Sequence, residues 1–314
     1  MTAAVDRALF RRLPRLADLV PFVELADGLP TRVDKVDDRL WVKRDDLTDS
    51  TYGGNKVRKL EHVLAVAKRK GGPVLTAGAK GSHHVYATAV HARRLDLDVE
   101  AVRFPQPDTA HVREVDAALR ALGGVRETWV STSALMPFAL AARRVAIERE
   151  GGYAIFPGAT SPLGALGYVG AALELIEQLD DEPDDVVVAL GSGGSAVGLT
   201  IGLRLGGWRR ARVVGVRTAD AIVTNRAALF PHAAGTFALL ALGGWRPQHG
   251  HLHIDTRWFG AGYGHATEAG AAAIEDGAML GLALEPTYTA KAFAAALELQ
   301  RSGRRVVFVQ TFAG

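Results

Sequence analysis

The sequence predicts an α/β protein of two lobes, and three observations carry that reading. A chain of 314 residues with 48% hydrophobic side chains is longer than one core usually organises and can bury a large apolar surface. Short apolar runs bounded by glycine and turn residues alternate with longer segments of helical period, the pattern of parallel strands joined by crossover helices. One run, Val186-Val187-Val188-Ala189-Leu190, is apolar at every position, as a strand covered on both faces must be.

Taken in order, residues 40–43 read as a strand that closes in the turn-prone Arg44-Asp45-Asp46-Leu47-Thr48-Asp49-Ser50. A helix follows Gly53-Gly54, with Leu60, Val63, Leu64 and Ala67 as its apolar stripe. Residues 73–78 are a strand running into a turn, 82–95 a helix and 99–104 a strand; 110–122 and 134–150 continue as helices, and 154–156 is a short strand. Residues 158–161 break the pattern. A second set comprises helix 164–178, strand 186–190, helix 196–205, strand 212–216, helices 268–279 and 289–301, and a terminal strand 306–309. Residues 1–50 and 160–314 are expected to form the larger domain and 51–159 the smaller.

Composition removes several function classes. The formal net charge is +3 with both signs interspersed, so there is no basic stripe for nucleic acid. With no cysteine there is no thiolate nucleophile, disulfide or zinc–thiolate site, and no metal centre is expected. Arg7, Arg11, Arg12 and Arg15 interrupt the apolar residues of the N-terminus, and no segment reaches bilayer length. The chain therefore reads as soluble and cytoplasmic, with no membrane partner.

Two segments carry chemistry. In Gly53-Gly54-Asn55-Lys56 a lysine stands behind a glycine turn at a helix start, where the helix dipole and burial both disfavour an ammonium and favour a nucleophilic amine. Taken alone, the same run is also an ordinary turn followed by the solvated charges Lys56, Arg58 and Lys59. Gly191, Ser192, Gly193, Gly194 and Ser195 link the apolar strand to a helix, an arrangement in which backbone N–H groups and a helix N-terminus hold a phosphate. The loop lacks the Gly-Lys-Ser/Thr ending of a nucleotide P-loop. Ser82-His83-His84 opens a further helix, where Ser82 reads as a cap or as a carboxylate site.

The run Lys43-Arg44-Asp45-Asp46-Leu47-Thr48, then Gly53 to Glu61, resembles the pyridoxal-phosphate enzymes comprising D-cysteine desulfhydrase and 1-aminocyclopropane-1-carboxylate deaminase, in the tryptophan synthase β-like group of fold type II. Ser161-Pro162-Leu163-Gly164-Ala165-Leu166-Gly167-Tyr168-Val169, Gly262-Tyr263-Gly264 and Glu285-Pro286-Thr287-Tyr288-Thr289-Ala290-Lys291-Ala292 are similar to that family's motifs and keep its order. The resemblance implies two open twisted α/β lobes with the cofactor in the cleft between them, and a homodimer. It implies that Lys56 carries pyridoxal 5'-phosphate as a Schiff base, with Asn55 and His83 beside the cofactor and residues 191–195 on its phosphate. Ser82, His83 and His84 would meet a small amino-acid substrate, and Tyr263 and Tyr288 would be the active-site tyrosines.

Thr289 and Thr311 occupy cofactor-side positions where deaminases typically have Glu and Leu, which favours the desulfhydrase branch and an α,β-elimination giving keto acid, ammonia and sulfide. Alternatives are the cyclopropane deaminase, a specialised-metabolism enzyme on the same scaffold, and a pyridoxal-phosphate-binding protein without turnover. The chain departs from the family at His83, which replaces an asparagine that bonds the cofactor's phenolic oxygen and so would replace that bond or titrate and retune it. It departs also at Tyr86 and Ala87, in place of Arg-Gln, at Gly158-Ala159-Thr160, in place of a more regular glycine run, and in the ending Thr311-Phe312-Ala313-Gly314, in place of Thr-Gly-Gly.

Overall fold

The structure, a computed structural model, describes residues 7–246 and 251–312. In chain order the elements are α1 (Ala8–Arg12), α2 (Leu16–Leu19), β1 (Val33–Lys35), β2 (Leu40–Arg44), α3 (Asn55–Lys70), β3 (Val74–Ala79), α4 (His83–Arg93), β4 (Val99–Phe104), α5 (Ala110–Leu122), β5 (Val125–Trp129), α6 (Met136–Arg149) and β6 (Tyr153–Ala154). There follow α7 (Pro162–Gln178), β7 (Asp185–Leu190), α8 (Gly194–Leu205), β8 (Arg212–Arg217), α9 (Arg226–Leu242), β9 (Leu252–Asp255), α10 (Glu268–Met279), α11 (Thr289–Arg301) and β10 (Val306–Gln310).

The strands form two sheets. One runs β1-β2-β10-β7-β8-β9 and the other β5-β4-β3-β6. Among the described residues, only the β1–β2 pair is antiparallel; the other pairings are parallel. In such sheets ligands collect beyond the carboxyl ends of the strands, because the loops there are free to vary while the strands are packed on both faces.

The expected two-face burial of residues 186–190 is visible in the packing. Val186 and Val188 join Val307 and Val309 in a core with Tyr168 of α7 and Leu199 of α8. Val187 and Phe308, one residue out of step, join Phe293 of α11 in the core on the opposite face. Period-two alternation thus sends neighbouring side chains into different layers, and both layers are apolar.

A buried ionic knot ties α3 to the larger sheet. Arg58 donates to Asp45 at 2.9 Å and to both oxygens of Glu174 at 2.8 Å, while Lys43 reaches Glu174 at 3.1 Å. Burial alone would raise the Glu174 carboxyl, but the Arg58 and Lys43 charges and their hydrogen bonds outweigh it and hold Glu174 at about 2. Arg58 and Lys59 are each 2% exposed, so the reading of this run as solvated charge is overturned. Both lie on the helix face that packs against the protein.

Six elements had no counterpart in the sequence pattern: α1, α2, β1, β5, α9 and β9. β5 is a half-exposed edge strand, and α9 has Pro231 inside it and carries the exposed Phe230 and Leu242, so neither has the period of a buried element. Among the described residues, no helix is long and apolar enough to cross a membrane.

Candidate active site

Parallel strands deliver the candidate residues to one region. β2 leads into the turn before Lys56, β3 into Ser82, β7 into residues 191–195, β8 into Thr218 and β10 into Thr311. Each follows a strand's carboxyl end.

Lys56 is the second residue of α3, whose N-cap is Gly54 at φ 92°. That backbone conformation suits glycine, and a Cβ there would stand 2.8 Å from the Thr311 carbonyl oxygen. The same carbonyl accepts from Asn55 N–H at 2.8 Å, so the end of β10 fixes the start of the lysine helix. Lys56 Nζ donates to Asn55 Oδ1 at 2.6 Å, and Asn55 Nδ2 donates to Ser195 Oγ at 3.2 Å. Burial pulls the Lys56 amine down from the ordinary lysine value to about 8, with Glu285 opposing the shift.

The loop 191–195 is packed from several sides. A Cβ on Gly191 would come 3.1 Å from the Tyr288 ring, one on Gly194 3.2 Å from Thr160 Oγ1, and one on Gly158 2.1 Å from Ser192 Oγ. Thr160 Oγ1 donates to Ser192 Oγ at 2.5 Å. The Thr218 hydroxyl is buried with no partner among the described residues, and Gly193 stands at φ 90° just before α8.

Lys59, one helical turn beyond Lys56, supplies what sequence reasoning missed. Its ammonium lies over the Tyr168 ring at 5.9 Å, its Cδ would be 3.6 Å from a Cβ on Gly194, and among the described residues no carboxylate pairs with it. Burial, and then the neighbouring Lys56 charge, push its pKa well down. An amine buried against a small-residue loop at a helix N-terminus is costly to charge unless an anion completes it. Lys56, the loop, Lys59 and the Thr218 hydroxyl together fit a compact group that carries an aldehyde and a phosphate. The i, i+3 spacing of the two lysines was the available signal.

Tyr263 and Tyr288 meet directly. Tyr288 OH donates to Tyr263 OH at 2.9 Å, and burial raises the pKa of both phenols, so they stay protonated at neutral pH. Glu285 fastens this corner by accepting from the N–H groups of Thr287, Tyr288 and Thr289 at 2.7 to 2.8 Å. Thr289 is fully buried, and its hydroxyl accepts from Glu285 N–H at 2.9 Å. Thr311 is also buried.

Ser82 caps α4, its Oγ accepting from Val85 N–H at 3.3 Å. His84 is buried with Nε2 on the Thr76 hydroxyl at 2.7 Å and Nδ1 without a partner among the described residues. His83 departs from both expected behaviours. Its Nδ1 meets Tyr52 OH at 2.6 Å and its Nε2 meets His111 Nε2 at 2.8 Å, so neither ring nitrogen is left for a phenolic oxygen. Burial, then the His111 and Lys56 charges, push it to about 3, so it is neutral at neutral pH and does not titrate there. The Phe312 ring lies 4.1 Å from it; Ala313 and Gly314 fall outside the described residues.

Comparison with known proteins places the chain in a family. Residues 24–311 match the family described as pyridoxal-phosphate dependent enzyme. A Pyrococcus horikoshii protein named putative 1-aminocyclopropane-1-carboxylate deaminase is 32% identical over 97% of this chain and 93% of its own. A Salmonella schwarzengrund D-cysteine desulfhydrase is 33% identical over 91% of this chain and 88% of its own. The crystal structure of an ACC deaminase homologue superposes with TM-score 0.81 at 30% identity, covering 99% of this chain and 95% of that one. The processed form of threonine deaminase isoform 2 from Solanum lycopersicum shares the fold at TM-score 0.64 and 19% identity, covering 98% of this chain and 85% of that one.

Proposed function

The chain belongs to the pyridoxal-phosphate-dependent enzymes, in the group of D-cysteine desulfhydrase and 1-aminocyclopropane-1-carboxylate deaminase lyases, and we propose that its reaction is α,β-elimination on a small amino acid of the D-cysteine type. The observation that carries the choice is the pair of buried threonines, Thr289 and Thr311, on the cofactor side of the site where a deaminase typically has Glu and Leu.

In this reading Lys56 Nζ holds the cofactor's aldehyde end, while residues 191–195, Lys59 and the Thr160 and Thr218 hydroxyls hold its phosphate. When bound, pyridoxal phosphate supplies an electron sink for the charge that develops at the substrate Cα. Lys56 Nζ takes the Cα proton, a task suited to an amine drawn down to about 8, because the free base is then far more populated near neutral pH than that of an ordinary lysine. Ser82 at the N-terminus of α4 receives the substrate carboxylate, its O–H still free to donate while its lone pair accepts from Val85. Tyr288 donates its hydrogen bond to Tyr263, which leaves the Tyr263 O–H to meet the departing β-group. The products from D-cysteine are keto acid, ammonia and sulfide.

The same reading divides the chain into 1–50 with 160–314 and 51–159. The larger sheet's strands fall within 33–44 and 185–310, and the smaller sheet's within 74–154, which supports it. It includes a cytoplasmic homodimer, for which the exposed Ile222, Phe230 and Leu242 offer apolar surface. Keto-acid release from D-cysteine, D-serine and 1-aminocyclopropane-1-carboxylate, measured side by side, tests the substrate. D-cysteine is expected to react fastest, and faster release from the cyclopropane would move the chain to the deaminase branch.

A further inference from the structure

The wall around His83 contains a continuous line of exchangeable protons. Tyr52 stands two residues before Gly54, at the start of the turn that presents Lys56. Its hydroxyl meets His83 Nδ1 at 2.6 Å, His83 Nε2 meets His111 Nε2 at 2.8 Å, and His111 Nδ1 faces Glu114 Oε2 at 4.0 Å. Exposure rises outward along this line. Tyr52 and His83 are partly buried, the His111 side chain is 31% exposed and that of Glu114 is 75% exposed.

The inner end adjoins the site. His83 follows Ser82 directly, and Phe312, packed 4.1 Å from the His83 ring, has its Cα 3.6 Å from where a Cβ on Gly54 would lie. Glu285, which fastens Tyr288, acts on Tyr52 as well as on Lys56. His83 and His111 lie on different helices, so the contact between their rings comes from the packing of α4 on α5.

The geometry points to a proton relay, Tyr52–His83–His111, that exchanges protons between the reaction site and solvent. This rests on the enzymatic reading above. Elimination takes a proton from Cα and later requires protons on the leaving group and on the product, at different atoms and different times, and a path to solvent can take up the first and supply the others. The outward step balances without a lasting charge. The Tyr52 oxygen accepts a proton from the site as its own passes to His83 Nδ1; the proton on His83 Nε2 passes to His111 Nε2, and the one on His111 Nδ1 leaves to water, through Glu114 where that carboxylate approaches. Inward transfer is the reverse. An uncharged His83 at neutral pH is compatible with this, because each ring only exchanges one tautomer for the other.

Two readouts test the relay. In the holoenzyme, His111→Phe keeps a ring in place and removes the outer link. It is expected to lower kcat about tenfold in dilute buffer with KM within about twofold, and added imidazole is expected to restore kcat, as a diffusible proton carrier does for a severed relay. Loss of kcat that imidazole does not restore, or no loss at all, overturns the proposal. In the cofactor-free protein, imidazole NMR should show a slowly exchanging ring proton shared by His83 and His111 that is absent in His111→Phe; its absence from the wild-type protein also overturns the proposal. If the wild-type holoenzyme releases keto acid from no amino acid, the proposed function fails, and the NMR result alone decides whether the relay exists.

Discussion

Around residues 191–195 the protein leaves polar groups without partners: among the described residues the buried Lys59 amine has no acid beside it, and the Thr218 hydroxyl has no acceptor or donor. Around His83 the opposite holds. Both ring nitrogens are matched to side chains, and Tyr52, His111 and Phe312 close the wall. A region with unmatched buried polarity is finished by something from outside, since an uncompensated buried charge costs several kcal/mol. A region matched within itself asks for no group from outside. In the proposed reading the first region carries the cofactor, and the second the choice of substrate.

Replacing the residue that joins both regions has the largest expected effect. In the proposed reading Lys56→Ala removes the attachment point and the base together, and should lower keto-acid release by more than about ten-thousandfold, checked by steady-state assay. A variant that retained turnover would separate the two regions from the lysine altogether.

Arg58→Met strikes the frame beneath both. It leaves Asp45 and Glu174 without their shared cation and should cost about 3–5 kcal/mol in a urea titration of the cofactor-free protein. A loss under about 1 kcal/mol would mean that α3 is held by apolar packing alone.

Lys59→Met sharpens the comparison by giving opposite signs. The cofactor-free protein should become more stable, because a buried amine that folding forces away from its charged form is removed, while cofactor affinity should fall about tenfold to a hundredfold, the worth of one charged hydrogen bond. Thermal melts and absorbance titration read the two effects, and a fall in both quantities would deny that Lys59 awaits an anion.

The acid–base prediction is smaller. Burial lowers the folded Lys56 pKa, so the amine is neutral above about 8 and an ammonium below it. Modification of Lys56 by an amine-reactive probe in the cofactor-free protein should therefore rise through about pH 8. The Glu285 charge favours the ammonium, so Glu285→Gln should move that midpoint lower. The smallest effect on the cofactor is expected from His83→Asn, which should leave cofactor affinity within about threefold by the same absorbance titration while changing the ratio of rates among D-cysteine, D-serine and the cyclopropane.

The two regions were unequally legible in the sequence. Lys56, Gly191, Ser195, Tyr263 and Tyr288 stand in local motifs whose spacing is itself the chemistry, and the parallel strands that deliver them announce themselves by apolar runs. Lys59 lay in the same motif, but its meaning depends on Tyr168 and Gly194, far along the chain. The wall was illegible for the same reason: Tyr52 and His111 stand 31 and 28 residues from His83, and only the fold brings the Tyr52 hydroxyl and the His111 ring to the two nitrogens of His83. β5 and α9 escaped because an exposed edge and an exposed face lack the period that burial imposes.

Borohydride reduction of the protein loaded with pyridoxal phosphate, followed by peptide mapping, tests the central assignment most directly. The account predicts one stable pyridoxyl label, on Lys56, and none in Lys56→Ala. A label on Lys59 or on any other lysine in the wild-type protein would contradict it.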